Sequence, residues 1–99
     1  MGWAACYIKD LQDGKTVQFR PRGSSMSPLV KDRQLVTVAP FIVPPKVGDI
    51  VLCRVYGADY LHLVKAVQGD RFQIGNNRGH INGWITTKSV FGVCTKVER

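Results

Sequence analysis

The chain has 99 residues, of which 44% are hydrophobic, a composition that predicts one globular domain and excludes a disordered chain. Its net charge of +7 favours acidic partners. The sequence shows neither an apolar run near the ~20 residues of a membrane span nor the basic start and apolar core of a signal peptide. We therefore expect one cytoplasmic domain over residues 1–99, without a membrane partner.

The predicted elements begin with a short helix near residues 3–12, where apolar residues recur at helical spacing before Gly14. Residues 1–14 thus form a helical segment and residues 15–99 a β core. Short apolar runs between turn signals predict the strands, which are 15–21, 33–40, 49–56, 60–67, 71–74 and 89–97. Turns are expected at 57–59 and 68–70, and a polar, glycine-rich loop at 75–83. The pattern is typical of a mainly β fold, a compact barrel or ribbon.

The three cysteines, Cys6, Cys53 and Cys94, are too widely spaced for a zinc site or a disulfide framework. Free cysteine is among the most often buried residue types. We therefore expect three buried thiols, no metal and no cofactor.

The stretch "RPRGSSMSPLV" holds three serines within four residues, Ser24, Ser25 and Ser27. Gly23 permits backbone angles that other residues avoid, and Pro28 restricts its own φ and the residue before it. Such a bend is either a polar turn or a loop that presents one hydroxyl for chemistry. A serine becomes nucleophilic only beside a group that accepts its proton.

Two side chains of the predicted strand 60–67 could accept that proton, His62 and Lys65. Side chains alternate along a strand, so only one of them can face a given serine unless a bulge intervenes. Apolar neighbours would lower the pKa of either and favour the neutral base. The alternative is a half-buried side chain whose polar tip reaches solvent.

Five segments in order, "GSSMSP", "VGDIVLCRV", "YLHLVKAVQGDRF", "IGNNRG" and "SVFGVCTKV", resemble the superfamily of type I signal peptidases and SOS-type self-cleaving repressors. The resemblance runs from about Pro21 to Val97. It implies that Ser25 is the nucleophile and that Met26 shapes the site, with Gly23 and Pro28 completing the motif.

The base in that superfamily is a lysine or a histidine, depending on the branch. His62 follows Ser25 by 37 residues and precedes Gly69 by seven, and both spacings are similar to those of the family's base. The resemblance therefore implies His62 as the base, with Lys65 as the alternative.

The chain departs from the family where a glycine, an aspartate and an asparagine are usual, because Gly75 is followed by Asn76 and Asn77. The family's later acid falls near Gly83, which is not acidic either. Asn76 is then the candidate for orienting His62. In serine hydrolases an Asp→Asn change at the orienting position lowers turnover by ~10⁴-fold, so the site is expected to be slow or inactive.

These residues predict a soluble serine endopeptidase-like protein that acts on a peptide or protein. The alternative is an impaired peptidase-like module that binds a peptide or protein partner, and edge strands would allow a homodimer. A nucleic-acid partner is less favoured. It would use Arg20, Arg22, Lys31 and Arg33, and no aromatic residues for base stacking are clustered beside them in the sequence.

Overall fold

The computed structural model describes residues 2–98. Within that range the chain forms one α-helix, seven strands and one short 3₁₀ helix. In chain order they are α1 (Ala5–Gln12), β1 (Val17–Phe19), β2 (Val36–Ala39), β3 (Ile50–Val55), β4 (Ala58–Gln68), β5 (Arg71–Gly75), β6 (Ile81–Thr86), the 3₁₀ helix (Thr87–Ser89) and β7 (Val90–Val97).

The seven strands make one antiparallel sheet in the order β1-β2-β7-β3-β4-β5-β6. The prediction of a mainly β chain with one short N-terminal helix is confirmed. The expectation of a barrel is corrected, because β1 and β6 remain as edges among the described residues and the sheet is not closed.

The core lies on both faces of this sheet. Leu52, Leu61 and Leu63 pack on one face with Ile8 and Leu11 of α1. The intervening side chains point to the other face, where they pack in a second cluster made of Val51, Cys53, Val55, Val64, Phe72, Ile74, Ile85 and Val90. Burial on both faces explains why β3 is almost continuously apolar rather than alternating.

The structure shifts the predicted bounds of the helix and of one turn. Helix α1 begins at Ala5, two residues later than expected, and ends as predicted before Gly14, whose φ is +83°. The β3–β4 hairpin turns at Tyr56 and Gly57, with φ of +49° and +81°. Two positive φ angles in a two-residue turn match the twist of a tight hairpin. The turn expected at 57–59 therefore begins one residue earlier and ends two residues earlier.

Strand β6 and the 3₁₀ helix that follows it are the elements that the sequence did not predict. The first residues of β6 fall in the polar, glycine-rich stretch 75–83, where a loop is expected, and Asn82 and Gly83 are poor strand formers. The φ of Gly83, +149°, favours glycine. A Cβ there would lie 2.9 Å from the exposed Tyr56 ring, so the ring would have to move.

Candidate active site

The serine loop between β1 and β2 is held in place by hydrogen bonds from both its ends. Gly23, with φ of +101°, donates its N–H to Asp32 Oδ1 at 2.8 Å. Arg33 N donates to the Pro21 carbonyl at 2.7 Å. The glycine therefore permits the bend that the sequence predicted, and Asp32 closes the loop around Ser25.

The loop between β5 and β6 holds the same segment from the other side. Asn77 donates its backbone N–H to the Ser25 carbonyl and its Nδ2 to the Ser27 carbonyl, both at 3.0 Å. Arg78 Nε donates to the Ser24 carbonyl at 3.1 Å. The three serine carbonyls are thus bound, and the Ser25 side chain points away from these contacts toward β4.

The structure brings Ser25 and His62 together. Ser25 Oγ lies 3.2 Å from His62 Nε2, within hydrogen-bonding distance. His62 lies on β4 with only 8% of its surface exposed, and its ring stacks on Tyr60 with centroids 4.8 Å apart. The imidazole is therefore fixed by packing on one side and faces the serine with one nitrogen.

The other nitrogen of the imidazole meets Asn82. His62 Nδ1 lies 2.7 Å from Asn82 Oδ1. An amide oxygen only accepts hydrogen bonds, so Nδ1 carries the proton and Nε2 presents its lone pair to the Ser25 hydroxyl. This is the tautomer that a general base needs.

Burial lowers the pKa of His62 below its usual value of 6.5, and nearby His80 lowers it further, while the hydrogen bond to Asn82 opposes them. The main cause is loss of hydration, which penalises the charged form. His62 is consequently neutral at pH 7, as a proton acceptor must be.

The candidate orienting residue is corrected, because Asn76 does not contact the imidazole. Its Oδ1 accepts the backbone N–H groups of Arg78 and His80, at 2.8 and 3.0 Å, and so stabilises the β5–β6 loop. Asn82 takes the orienting position instead. The available signal was the later acid of the resemblance, which falls near Gly83, one residue from Asn82.

A β-bulge explains why the sequence pattern did not identify Asn82 as the residue that contacts His62. Ile74 pairs with Gly83 and Gly75 pairs with Ile81, so Asn82 is the extra residue of β6. A bulge redirects side chains and is common beside active sites. Asn82 can therefore reach His62 from a strand whose regular alternation would not place it there.

The alternative base, Lys65, is not the hydrogen-bond partner of Ser25. It is also a bulged residue, since Val64 pairs with Ile74 and Ala66 with Gln73. Its Cγ lies beside Gly75, where an added Cβ would approach it to 3.1 Å. Among residues 2–98 no hydrogen bond joins Lys65 to Ser25, and the hydroxyl is paired with His62.

The remaining motif residues surround Ser25. Met26 is 4% exposed and packs in the core cluster that contains Leu61 and Leu63. The peptide bond between Ser27 and Pro28 is cis. Met26 therefore anchors the serine loop in the core, while Ser25, one residue earlier, remains partly exposed.

The cysteines do not contribute to this site. Only Cys53 is fully buried, whereas Cys94 is half-buried and Cys6 is exposed, so the expectation of three buried thiols is wrong for two of them. Burial raises the pKa of Cys53 to about 12, which keeps it protonated.

Within residues 2–98 no group of three or more potential metal ligands lies close together. No helix in this range is long and apolar enough to cross a membrane.

A cleft of about 720 Å³ opens beside Ser25 and His62. Its walls include the aromatic rings of Trp3, Tyr7 and Phe19 and the basic Arg20 and Arg22. Folding thus places three aromatic rings and two arginines in the lining of one cleft, a grouping that the sequence did not predict.

Comparison with known proteins adds no relative: no protein-family model, curated protein or solved structure matches the chain significantly. The resemblance to signal peptidases and self-cleaving repressors thus rests on the motifs in the sequence.

Proposed function

We propose that this protein is a serine endopeptidase-like hydrolase in which Ser25 is the nucleophile and His62 the general base. The observation that carries the proposal is the continuous chain of contacts from Ser25 Oγ to His62 to Asn82, at 3.2 and 2.7 Å. A nucleophile beside a base that a third group orients is the arrangement expected for covalent catalysis.

In the proposed reaction the Ser25 hydroxyl proton moves to His62 Nε2 as Oγ bonds to the carbonyl carbon of the peptide. The carbonyl electron pair then resides on the oxyanion. Its return breaks the carbon–nitrogen bond, and His62 gives the proton to the leaving amine. Water, deprotonated by the same imidazole, hydrolyses the acyl-enzyme and restores Ser25.

The oxyanion needs a donor close to Ser25, and the backbone N–H of Ser25 suits that role. Within residues 2–98 it donates to no protein acceptor, whereas Gly23 and Ser27 use their N–H groups within the loop. Removing one preorganised oxyanion donor, a side-chain amide, costs ~2.7–4 kcal/mol in a well-studied serine hydrolase.

The test is labelling with a fluorophosphonate, which reacts with activated serines, followed by mass spectrometry of the labelled peptide. We expect label on Ser25 in the wild type and none in Ser25→Ala. Ser24→Ala is the matched control, because Ser24 is an adjacent, exposed hydroxyl that does not contact His62. Equal labelling of the Ser25→Ala variant and the wild type would refute the nucleophile.

The second candidate is a peptide-binding module with little turnover, and one observation favours it. The group behind His62 is the neutral amide of Asn82 rather than a carboxylate, so the imidazolium that forms during catalysis is stabilised less. Recovery of intact peptide from a stable complex with the wild type, together with no labelling of Ser25, would support this candidate.

A further inference from the structure

The aromatic part of the cleft beside Ser25 is built by residues that precede the motif-bearing part of the chain. Trp3 and Tyr7 come from the N-terminal segment and Phe19 from β1. All three lie before Pro21, where the resemblance to known peptidases begins. The aromatic surface of the cleft therefore comes from outside the part of the chain that carries the resemblance.

The three rings form one aromatic wall. Tyr7 stacks on Phe19 with centroids 4.6 Å apart, and Trp3 packs against Phe19 at 5.6 Å. Trp3 Nε1 donates to the Asp59 carbonyl at 3.3 Å, which ties the wall to the start of β4. Trp3 is nevertheless 52% exposed, so its ring offers apolar surface to an occupant.

The floor of the cleft is apolar as well, since Met26 and Leu61 contribute to it. Its volume of about 720 Å³ falls in the ~300–1,000 Å³ range of small-ligand pockets. A large apolar side chain would occupy part of this space and remove more apolar area from water than an alanine would.

The rim of the cleft is positively charged. Arg20 and Arg22 are exposed lining residues, and neither forms an ion pair within residues 2–98. The acidic residue in the lining, Asp59, is already paired with Arg54, whose Nε lies 2.8 Å from its Oδ1. The net charge that an occupant meets at the rim is therefore positive.

From the aromatic wall and the basic rim together, we infer that the cleft receives a peptide with a large apolar side chain next to the scissile bond and a carboxylate within one or two residues of it. The inference rests on the proposed function, since it names the substrate class of the Ser25 site. It fits the chemistry of the cleft on two counts, apolar burial and charge complementarity.

The experiment measures binding of fluorescein-labelled octapeptides to the Ser25→Ala chain by anisotropy, so that it does not depend on turnover. Four peptides share one sequence and differ at two neighbouring positions, which hold Phe–Glu, Ala–Glu, Phe–Lys or Ala–Lys. We expect Phe–Glu to bind best and each single replacement to weaken binding about tenfold. The preference for Glu should shrink as salt is raised.

Two variants assign the charge preference to the rim. Arg22→Glu is expected to remove the preference for Glu over Lys. Lys31→Glu is the matched control, because Lys31 is an exposed basic residue of the same loop that does not line the cleft; it should keep most of the preference. Trp3→Ala should reduce the preference for Phe over Ala.

Equal binding of the four peptides, or a preference that survives Arg22→Glu and Trp3→Ala unchanged, would overturn the inference. So would tighter binding of an oligo(dT) 8-mer than of the Phe–Glu peptide, which would indicate a nucleic-acid surface. Hydrolysis of the Phe–Glu peptide by the wild type is scored separately. Selective binding without hydrolysis or Ser25 labelling would refute the proposed catalysis and leave the peptide preference standing.

Discussion

Replacing Asn82 by Asp gives the sharpest test of the contact chain behind Ser25. Asn82 Oδ1 already accepts the hydrogen of His62 Nδ1 at 2.7 Å, so the wild type holds the imidazole in the productive tautomer. Aspartate keeps that acceptor and adds a negative charge. The substitution therefore isolates the charge from the geometry.

The magnitude follows from the strength of the two hydrogen bonds. A neutral hydrogen bond contributes ~0.5–1.5 kcal/mol and one to a charged group ~1.5–3 kcal/mol. The imidazolium that forms in the transition state should gain about 1–1.5 kcal/mol from the carboxylate, which corresponds to a roughly 5- to 13-fold higher kcat/KM. The gain is smaller than the ~10⁴-fold seen for Asp→Asn elsewhere, because that change also disturbs the tautomer.

The assay is the rate of fluorophosphonate labelling or of peptide hydrolysis, with an NMR titration of the His62 ring. We expect a faster rate and a raised pKa of His62 in Asn82→Asp. Asn76→Asp is the matched control, since Asn76 Oδ1 accepts only the backbone N–H groups of Arg78 and His80. If Asn82→Asp changes neither the rate nor the titration, or if Asn76→Asp has the same effect, Asn82 does not orient the base.

Three further predictions follow from the same contacts. The pKa of His62 is lower in the folded chain than its usual 6.5, so below about pH 6.5 the unfolded chain binds more protons and the free energy of unfolding falls with acidification. Urea unfolding between pH 7.5 and 5.5 should therefore show a larger loss of stability for the wild type than for His62→Gln. Equal losses in the two proteins would contradict this prediction. Asn77→Ala removes the side-chain hydrogen bond to the Ser27 carbonyl and should lower the free energy of unfolding by about 1 kcal/mol. We expect slower labelling of Ser25 and faster hydrogen exchange in the serine loop. Unchanged exchange would show that Asn77 does not hold the loop in place. Iodoacetamide at pH 7.5 should alkylate the exposed Cys6 in the native protein. Cys53, which is buried and has a pKa of about 12, should react only after unfolding. Rapid alkylation of Cys53 in the native protein would show that this thiol is not buried.

The sequence by itself determined the mainly β character, the short leading helix and most strands, because these depend on local periodicity and on turn residues such as Gly14. The resemblance of its motifs to a known superfamily also implied Ser25 and His62 as a candidate pair. Alternation along a strand predicts His62 and Lys65 on different faces, but Lys65 is a bulged residue, so local rules do not decide where its side chain lies.

Tertiary structure alone decided which polar residue lies behind His62, since Asn82 reaches it only through a bulge in a strand that local propensity does not favour. It likewise decided the aromatic wall, because Trp3, Tyr7 and Phe19 meet only when α1 packs on the sheet. Both features depend on contacts between distant parts of the chain, which no local pattern of residues records.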